Sequence, residues 1–322
     1  MTKKQIISLV LIASFFIVLD LGIYELFTKN YMNDTSSEMQ AKSVEVSEYL
    51  PFDEGSGIVR TETDVKITGD LPVLDGAAAL FPVYSSFAAS LYPEESVIYD
   101  KGSGTFSEGS ALQYTNTRGA YKGIVDGTCD LIFCAKPSQE QLKYAEDMGV
   151  ELELVPIGRE AFVFIVNGSN PVSDMTIDQI KAVYSGEITN WKELGGENRP
   201  IHATQRNEGS GSQTAFLGLM GDTEADPSPW GIFGSPIGFS YRYYVEGLVG
   251  NGRVKMLSLN GVYPDKENIR NGNYPITGEL YAVYRKGDHN DNIQKIINWI
   301  LSDEGQKTIE ENGYVSLSGK DY

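Results

Sequence analysis

Gln205-Arg206-Asn207-Glu208-Gly209-Ser210-Gly211-Ser212 places one arginine, one carboxylate and a Gly/Ser turn within eight residues, and Gln213-Thr214-Ala215-Phe216-Leu217 continues it with helical character. The arginine offers a planar, permanently charged fork that fits a tetrahedral anion. The serines offer hydroxyl donors. The glycines let backbone N–H groups come close at a helix start, where the helix dipole favours negative charge. The same residues also suit an ordinary surface turn with a helix cap, because short Gly/Ser runs recur by chance. On this stretch alone the oxyanion cradle and the capped turn both stand.

Outward from this run, strand-like and helix-like segments alternate. A short strand over 201–204 leads into it. Helices are expected over 77–91, 118–125, 139–148, 176–184, 293–301 and 304–311, and strands over 131–134 and 278–284. Ala161-Phe162-Val163-Phe164-Ile165-Val166 is a continuous apolar run, the mark of a strand buried on both faces. This alternation predicts α/β architecture with mostly parallel sheets. In such sheets ligands bind beyond the carboxyl ends of strands, where loops enter helices. Three further helix starts fit that description: Asp75-Gly76-Ala77-Ala78-Ala79-Leu80, Thr115-Asn116-Thr117-Arg118-Gly119-Ala120, and Lys136-Pro137-Ser138. Each alone reads equally as routine capping. Several converging on one cleft would bind a small anion with little side-chain charge.

The chain has 322 residues, enough for two domains, and 41% of them are hydrophobic. Lys and Arg total 26 against 44 Asp and Glu, a net charge of -18. That balance argues against nucleic acid as a partner, since phosphate backbones need a basic surface. It fits a soluble exported domain. It also means that an anion site must work through local charge against an unfavourable overall field.

At the N-terminus, Lys3 and Lys4 precede an apolar run from Ile6 to Leu19. Asp20 interrupts it, and Leu21-Gly22-Ile23-Tyr24 resumes it. No small-x-small cleavage site follows. An uncleaved single-pass signal anchor over 1–29 is expected, with the lysines inside and the bulk of the chain outside. The alternative is secretion after signal cleavage. Residues 30–65 are polar and acidic and read as an extracytoplasmic linker. Cys129 and Cys134 flank an expected strand whose extended length, about 16 Å, is too long for a disulfide. They read as buried thiols. His202 and His289 are the only histidines, and no metal-ligand spacing is present.

Taken in order, these pieces resemble the substrate-binding proteins of phosphate ABC transporters. The resemblance runs from about Ile67 to Leu317. Asp75-Gly76-Ala77-Ala78-Ala79-Leu80-Phe81-Pro82 is similar to the family's first phosphate loop. Thr117-Arg118-Gly119 with Asp126-Gly127-Thr128-Cys129-Asp130-Leu131 is similar to its second. Ile188-Thr189-Asn190-Trp191-Lys192-Glu193-Leu194-Gly195-Gly196 and Arg206-Asn207-Glu208-Gly209-Ser210-Gly211-Ser212 also match, as do Asn260-Gly261-Val262, Gly272-Asn273-Tyr274-Pro275 and Gly305-Gln306-Lys307.

The resemblance implies a two-lobed α/β protein of the type II periplasmic-binding-protein fold, with two crossing hinge segments and closure over the ligand. The expected division is lobe 1 over 66–160 and 278–322, and lobe 2 over 161–277. Arg206 is expected to pair with the anion. Ser210, Gly211 and Ser212 are expected to donate to it, with Thr117 adding a hydroxyl and Arg118 adding charge. Ala78 and Ala79 stand where the first loop donates, with backbone N–H groups alone. Glu208 takes the place of an aspartate that holds the arginine. A carboxylate that accepts the proton of hydrogen phosphate is replaced by Ala135, followed by Lys136, which puts phosphate-over-sulfate selectivity in question. The segment Asp226-Pro227-Ser228-Pro229-Trp230-Gly231-Ile232-Phe233-Gly234-Ser235 is shorter than the family's usual insert. Tyr241, Tyr243 and Tyr244 read as strand packing, and Trp191 as a core anchor.

The implied function is a non-catalytic receptor that captures inorganic phosphate and delivers it to the permease subunits of an ABC transporter. The alternative is a membrane-tethered oxyanion sensor or interaction protein on the same fold. A hydrolase of phosphate esters finds no metal cluster and no Ser-His-Asp order to support it, and no cofactor is implied.

Overall fold

The computed structural model describes residues 44–226, 234–248 and 253–317. Its first helices are α1 (Phe81–Leu91) and α2 (Asn116–Asp126). Ser138 and Thr176 then begin α3 (Gln139–Asp147) and α4 (Ile177–Tyr184) through full capping boxes, with Gln141 and Gln179 closing each box from the third helical position. Ser210 caps α5 (Gly211–Met220), Asp265 caps the short α6 (Lys266–Arg270), and Asn290 and Ser302 cap α7 (Asp291–Ile300) and α8 (Asp303–Glu311).

One eight-stranded sheet organises the chain. Its strands are β1 (Leu74–Gly76), β2 (Leu131–Cys134), β3 (Leu152–Asn167), β4 (Ile201–Ala203), β5 (Ser235–Tyr241), β6 (Val254–Met256), β7 (Thr277–Arg285) and β8 (Val315–Ser316). β3 is the spine. Its first part pairs antiparallel with β7, from Leu152 opposite Arg285 to Ala161 opposite Thr277. Its second part pairs antiparallel with β5, from Phe162 opposite Tyr241 to Val166 opposite Ile237.

This arrangement corrects the expectation of mostly parallel sheets. Among the described residues of this sheet, only β1 with β2 and β4 with β5 run parallel, whereas β7 with β2, and β7, β8, β5 and β6 with β3, run antiparallel; one further parallel pair, Ser258–Leu259 with Asp174–Met175, stands apart from it. The cause is topological. The chain leaves one lobe along β3 and returns beside it along β7, so these neighbours must run in opposite directions. Parallel pairs survive where a helix-bearing crossover joins short flanking strands.

Burial divides at the same ribbon. One core gathers Phe81, Tyr84, Phe87, Leu131, Phe133, Ile157, Leu280, Ala282, Ile296 and Trp299. A second gathers Ala161–Val166 side chains with Tyr184, Trp191, Phe216, Ile237 and Phe239. The apolar run of β3 is buried on both faces, apart from a half-buried Ile165, because β5 and β6 flank it and α4 and α5 side chains pack on it. Burying an aromatic or large aliphatic side chain contributes about 1.5–3 kcal/mol, so each lobe carries its own driving force. The fold is a two-lobed α/β architecture whose lobes are joined by β3 and β7.

Two local differences from the sequence reading follow from packing. The expected helix over 77–91 begins late: Ala77 is extended, Ala78–Leu80 forms a tight 3-10 turn, and the α-helix starts at Phe81 ahead of Pro82. The second half of the expected linker is not a free stalk. Val44, Val46 and Leu50 are buried in the first core, and Ser85 donates to the Tyr49 carbonyl at 2.5 Å. The polar composition of 44–65 hid these few anchoring apolar residues. The expected signal anchor over 1–29 and most of the Asp226–Ser235 segment lie outside the described residues. Among the described residues, no helix is long and apolar enough to cross a membrane. Cys129 and Cys134 are free and buried, and burial pushes both thiols well up.

Candidate anion-binding site

Three helix starts open onto one cavity of about 520 Å³ between the lobes. The first is the turn at Ala78–Leu80, pinned to β2 by the Ala77 N–H, which donates to the Phe133 carbonyl at 2.9 Å. Gly76 lets this crossing be tight, since a β-carbon there would lie 2.5 Å from the same carbonyl. The second is the start of α2. The buried Asp75 carboxylate accepts from the Thr115 N–H at 2.9 Å, the Thr115 hydroxyl at 2.5 Å and the Gly76 N–H at 2.7 Å. Burial pushes the Asp75 carboxyl up from its ordinary value, and these hydrogen bonds pull it back. The clasp fixes Thr115, after which Asn116 takes a left-handed conformation, φ 62°, and Thr117 is buried against the cavity.

The third start is the loop that carries Arg206. Ser210 accepts from the Gln213 N–H at 3.2 Å, leaving its own hydroxyl proton available. Gln213 ties the start of the loop to α5: its side-chain oxygen accepts from the Arg206 N–H at 2.9 Å, and its amide donates to Gln205 at 3.0 Å. The converging N-termini turn unpaired backbone N–H groups and positive dipole ends toward the same space.

Arg206 is half-buried, and burial pulls its pKa down from the ordinary arginine value, partly offset by Tyr244. Arginine nonetheless stays charged. Among the described residues, no carboxylate lies within ion-pair distance of it, although Glu208 lines the same cavity. The expectation that Glu208 holds the arginine is therefore corrected. Glu208 sits two residues on and is exposed, and it makes no ion pair with the fork. A half-buried cation without a protein counter-ion suits an anionic ligand.

The cavity's fully buried carboxylate, Glu160, is committed elsewhere. Its oxygens accept from Arg242 Nε at 3.0 Å, Arg242 Nη2 at 3.4 Å, the Ala161 N–H at 2.8 Å and the Tyr243 N–H at 3.3 Å. Arg242 also donates to Glu246 at 2.6 Å and to the Gly313 carbonyl at 2.6 Å. Desolvation pushes the Glu160 carboxyl up, and the facing guanidinium opposes that shift. This ion pair ties β3 to the end of β5 and to the chain's return before β8.

A second space, about 830 Å³, lies on the other face of the β3–β7 ribbon. Alternation along the strands decides the sides: Arg159 and Tyr281 line the larger space, and Glu160 and Leu280 line the smaller. Ala135, Glu208, Gly209, Gly211 and Tyr241 border both. There the lobes touch. A β-carbon built on Gly211 would sit 3.6 Å from the Ala135 β-carbon and 3.7 Å from Thr117 Oγ1, and one on Gly209 would sit 3.7 Å from Arg118 Cδ.

Ala78, Ala79, Thr117, Arg118, Arg206, Glu208, Ser210, Gly211 and Ser212 all line the smaller cavity, as does Ala135. The third expected helix start, Lys136-Pro137-Ser138, does not join them and borders the larger space. Sequence reading missed Asn116, Glu160, Ser240, Tyr244 and Tyr314 as cavity walls, and Asp75 and Gln213 as supports. Tyr244 was expected to be strand packing, yet it lies beyond β5 and faces the cavity. Only Gln213 had a local signal, its position three residues after a capping serine.

A family model described as a PBP superfamily domain matches residues 104–304, more than half of the chain. The chain belongs to the PBP superfamily. Within it, the chain is similar to the phosphate-binding protein PstS of Bacillus subtilis, 26% identical over 185 residues that span 54% of this chain and 61% of that one. It is also similar to PstS of Staphylococcus saprophyticus, 24% identical over 268 residues, 77% of this chain and 81% of that one. Among solved structures, a phosphate ABC transporter substrate-binding protein described with bound phosphate from Clostridium perfringens aligns with a TM-score of 0.57 at 23% identity, over 76% of this chain and 98% of that one. An ABC-type phosphate transport receptor from Vibrio cholerae gives 0.53 at 18%, over 75% and 98%. These structures share the fold seen here, the type II binding-protein fold. Among the described residues, no group of three or more His, Cys, Asp or Glu side chains could hold a metal ion.

Proposed function

We propose that this protein is an extracytoplasmic solute-binding protein that captures inorganic phosphate between its lobes and delivers it to the permease subunits of an ABC transporter. The observation that carries this reading is the convergence of three helix starts on a cavity that holds Arg206, a half-buried cation without a carboxylate partner among the described residues. Arg206 pairs with the anion as a fork. Ser210, Ser212 and Thr117 donate hydroxyl protons. The backbone N–H groups of Ala78, Ala79 and Gly211 donate along their helix axes, and Arg118 adds positive charge at the rim. Each charge-assisted hydrogen bond contributes about 1.5–3 kcal/mol, enough to overcome the acidic surface field. The names of the similar PstS proteins support phosphate as the anion, and binding rather than chemistry as the role.

The lobes follow the division 66–160 with 278–322, and 161–277, with β3 and β7 as the crossing segments. An N-terminal membrane tether belongs to this reading, and residues 44–50, packed in the first core, are where the described chain enters the first lobe. The packing of residues 44–50 on the first lobe is what gives the oxyanion-sensor alternative its footing. Calorimetric titration of the protein with phosphate and sulfate tests the binding role. Saturable phosphate binding supports it, and no response to either anion overturns it.

A further inference from the structure

The seam between the two cavities contains one hydrogen bond that joins the lobes directly at the anion loop. Gln141, on α3 of the first lobe, donates from its side-chain amide to the Gly209 carbonyl of the second lobe at 3.3 Å. The same side chain closes the α3 capping box: its oxygen accepts from the Ser138 N–H at 2.8 Å, while Ser138 Oγ accepts from the Gln141 N–H at 3.2 Å. The cap fixes where the amide points. Gly209 is buried and held left-handed, φ 77°, so its carbonyl direction is also fixed. Arg118 packs its aliphatic stem on the same glycine. The anion loop is thus gripped from the first lobe at the residue before Ser210.

We propose that Gln141 is an affinity-determining residue of the anion site, acting as a latch that slows release of the bound anion. The inference rests on the proposed binding role of that site. Closure brings α3 to the loop, so the bond exists only while the lobes are together. An interaction present only in the closed state shifts the opening equilibrium by its own worth. It acts on dissociation, because the anion leaves when the lobes part, and hardly on encounter. Gln141 touches the loop rather than the anion, so it positions the site.

Gln141→Glu separates the two tasks of this side chain. Glutamate keeps the capping-box acceptor, since Ser-x-x-Glu caps as Ser-x-x-Gln does, but it loses the donor to Gly209 and adds a negative charge, so wild type and variant are compared at high salt, where that charge is screened. With inorganic phosphate as the probe and the full chain as the protein, calorimetry gives affinity, stopped-flow gives the rate constants and thermal unfolding gives stability. The expected result is about a threefold to tenfold loss of affinity, the worth of one neutral hydrogen bond, carried by faster release with unchanged association and an unchanged melting temperature. Gln141→Met, which loses the latch together with the side-chain half of the capping box while keeping the Ser138 cap on its backbone N–H, should lower the melting temperature as well. Wild-type affinity in Gln141→Glu, or a change confined to association, would overturn the latch while leaving the binding role intact. Failure of the wild type to bind phosphate would overturn the binding role and the latch with it.

Discussion

Arg206 and Arg242 stand beside the same cavity and have opposite fates. Arg242 is 3% exposed and surrounded by acceptors: Glu160, Glu246 and the Gly313 carbonyl. Arg206 is half-buried and has no carboxylate within reach among the described residues. The protein satisfies the first charge itself, and the proposed function assigns the second to a ligand. One guanidinium therefore ties β3 to the end of β5, and the proposal gives the other to the anion.

The largest effect should come from the hinge. Arg242→Met strands the fully buried Glu160 carboxylate without its counter-charge, which costs about 3–5 kcal/mol. Thermal or urea unfolding should show this as a large drop in midpoint. A variant that keeps its stability but loses anion affinity would break the comparison, because Arg242 would then be a ligand residue. Arg206→Ala should do the reverse. Losing two charge-assisted hydrogen bonds weakens phosphate binding about a hundredfold or more, with little change in unfolding midpoint.

The two arginines were not equally legible in the sequence. Arg206 sits inside Arg-Asn-Glu-Gly-Ser-Gly-Ser, where local composition suits an anion loop as well as a capped turn. Arg242 sits inside Tyr241-Arg242-Tyr243-Tyr244, and its partner Glu160 is 82 residues away, so no local pattern could pair them. The same limit explains the other misses. Asp75 clasps Thr115 across 40 residues, and the Tyr314 hydroxyl reaches the Ala79 carbonyl across 235. Helices and strands with their own caps and periodicity were readable: β2 over 131–134 and the start of α3 stand where expected. Strand direction was not, because whether two neighbours run parallel depends on where the chain goes between them. The Glu208 role was misjudged for a related reason: closeness in sequence does not fix which way a carboxylate turns.

Smaller effects sharpen the contrast within the anion loop. Ser210→Ala removes the α5 cap, which costs about 1 kcal/mol of stability, and also removes a hydroxyl donor. Both the unfolding midpoint and the phosphate affinity should fall, unlike the separated effects of the two arginine changes. Unchanged affinity would limit Ser210 to capping. The smallest expected effect is a pH dependence at His202, on the strand that leads to Arg206. Burial holds its pKa below the ordinary value of 6.5. The unfolded chain then binds the proton more readily, so this contribution to stability is full above about 6.5 and is lost as pH falls through the depressed folded value. Unfolding midpoints between neutral and mildly acidic pH should drop less in His202→Gln than in the wild type. Equal drops in both would assign the acid sensitivity to other groups.

The central claim is that Arg206 is the cation kept free for the ligand. Calorimetric titration of phosphate into the wild type and Arg206→Ala, with unfolding midpoints measured on the same samples, tests it most directly. The account predicts saturable binding in the wild type, a loss of about a hundredfold or more in the variant, and closely matched midpoints. Equal affinity in the two proteins would contradict it.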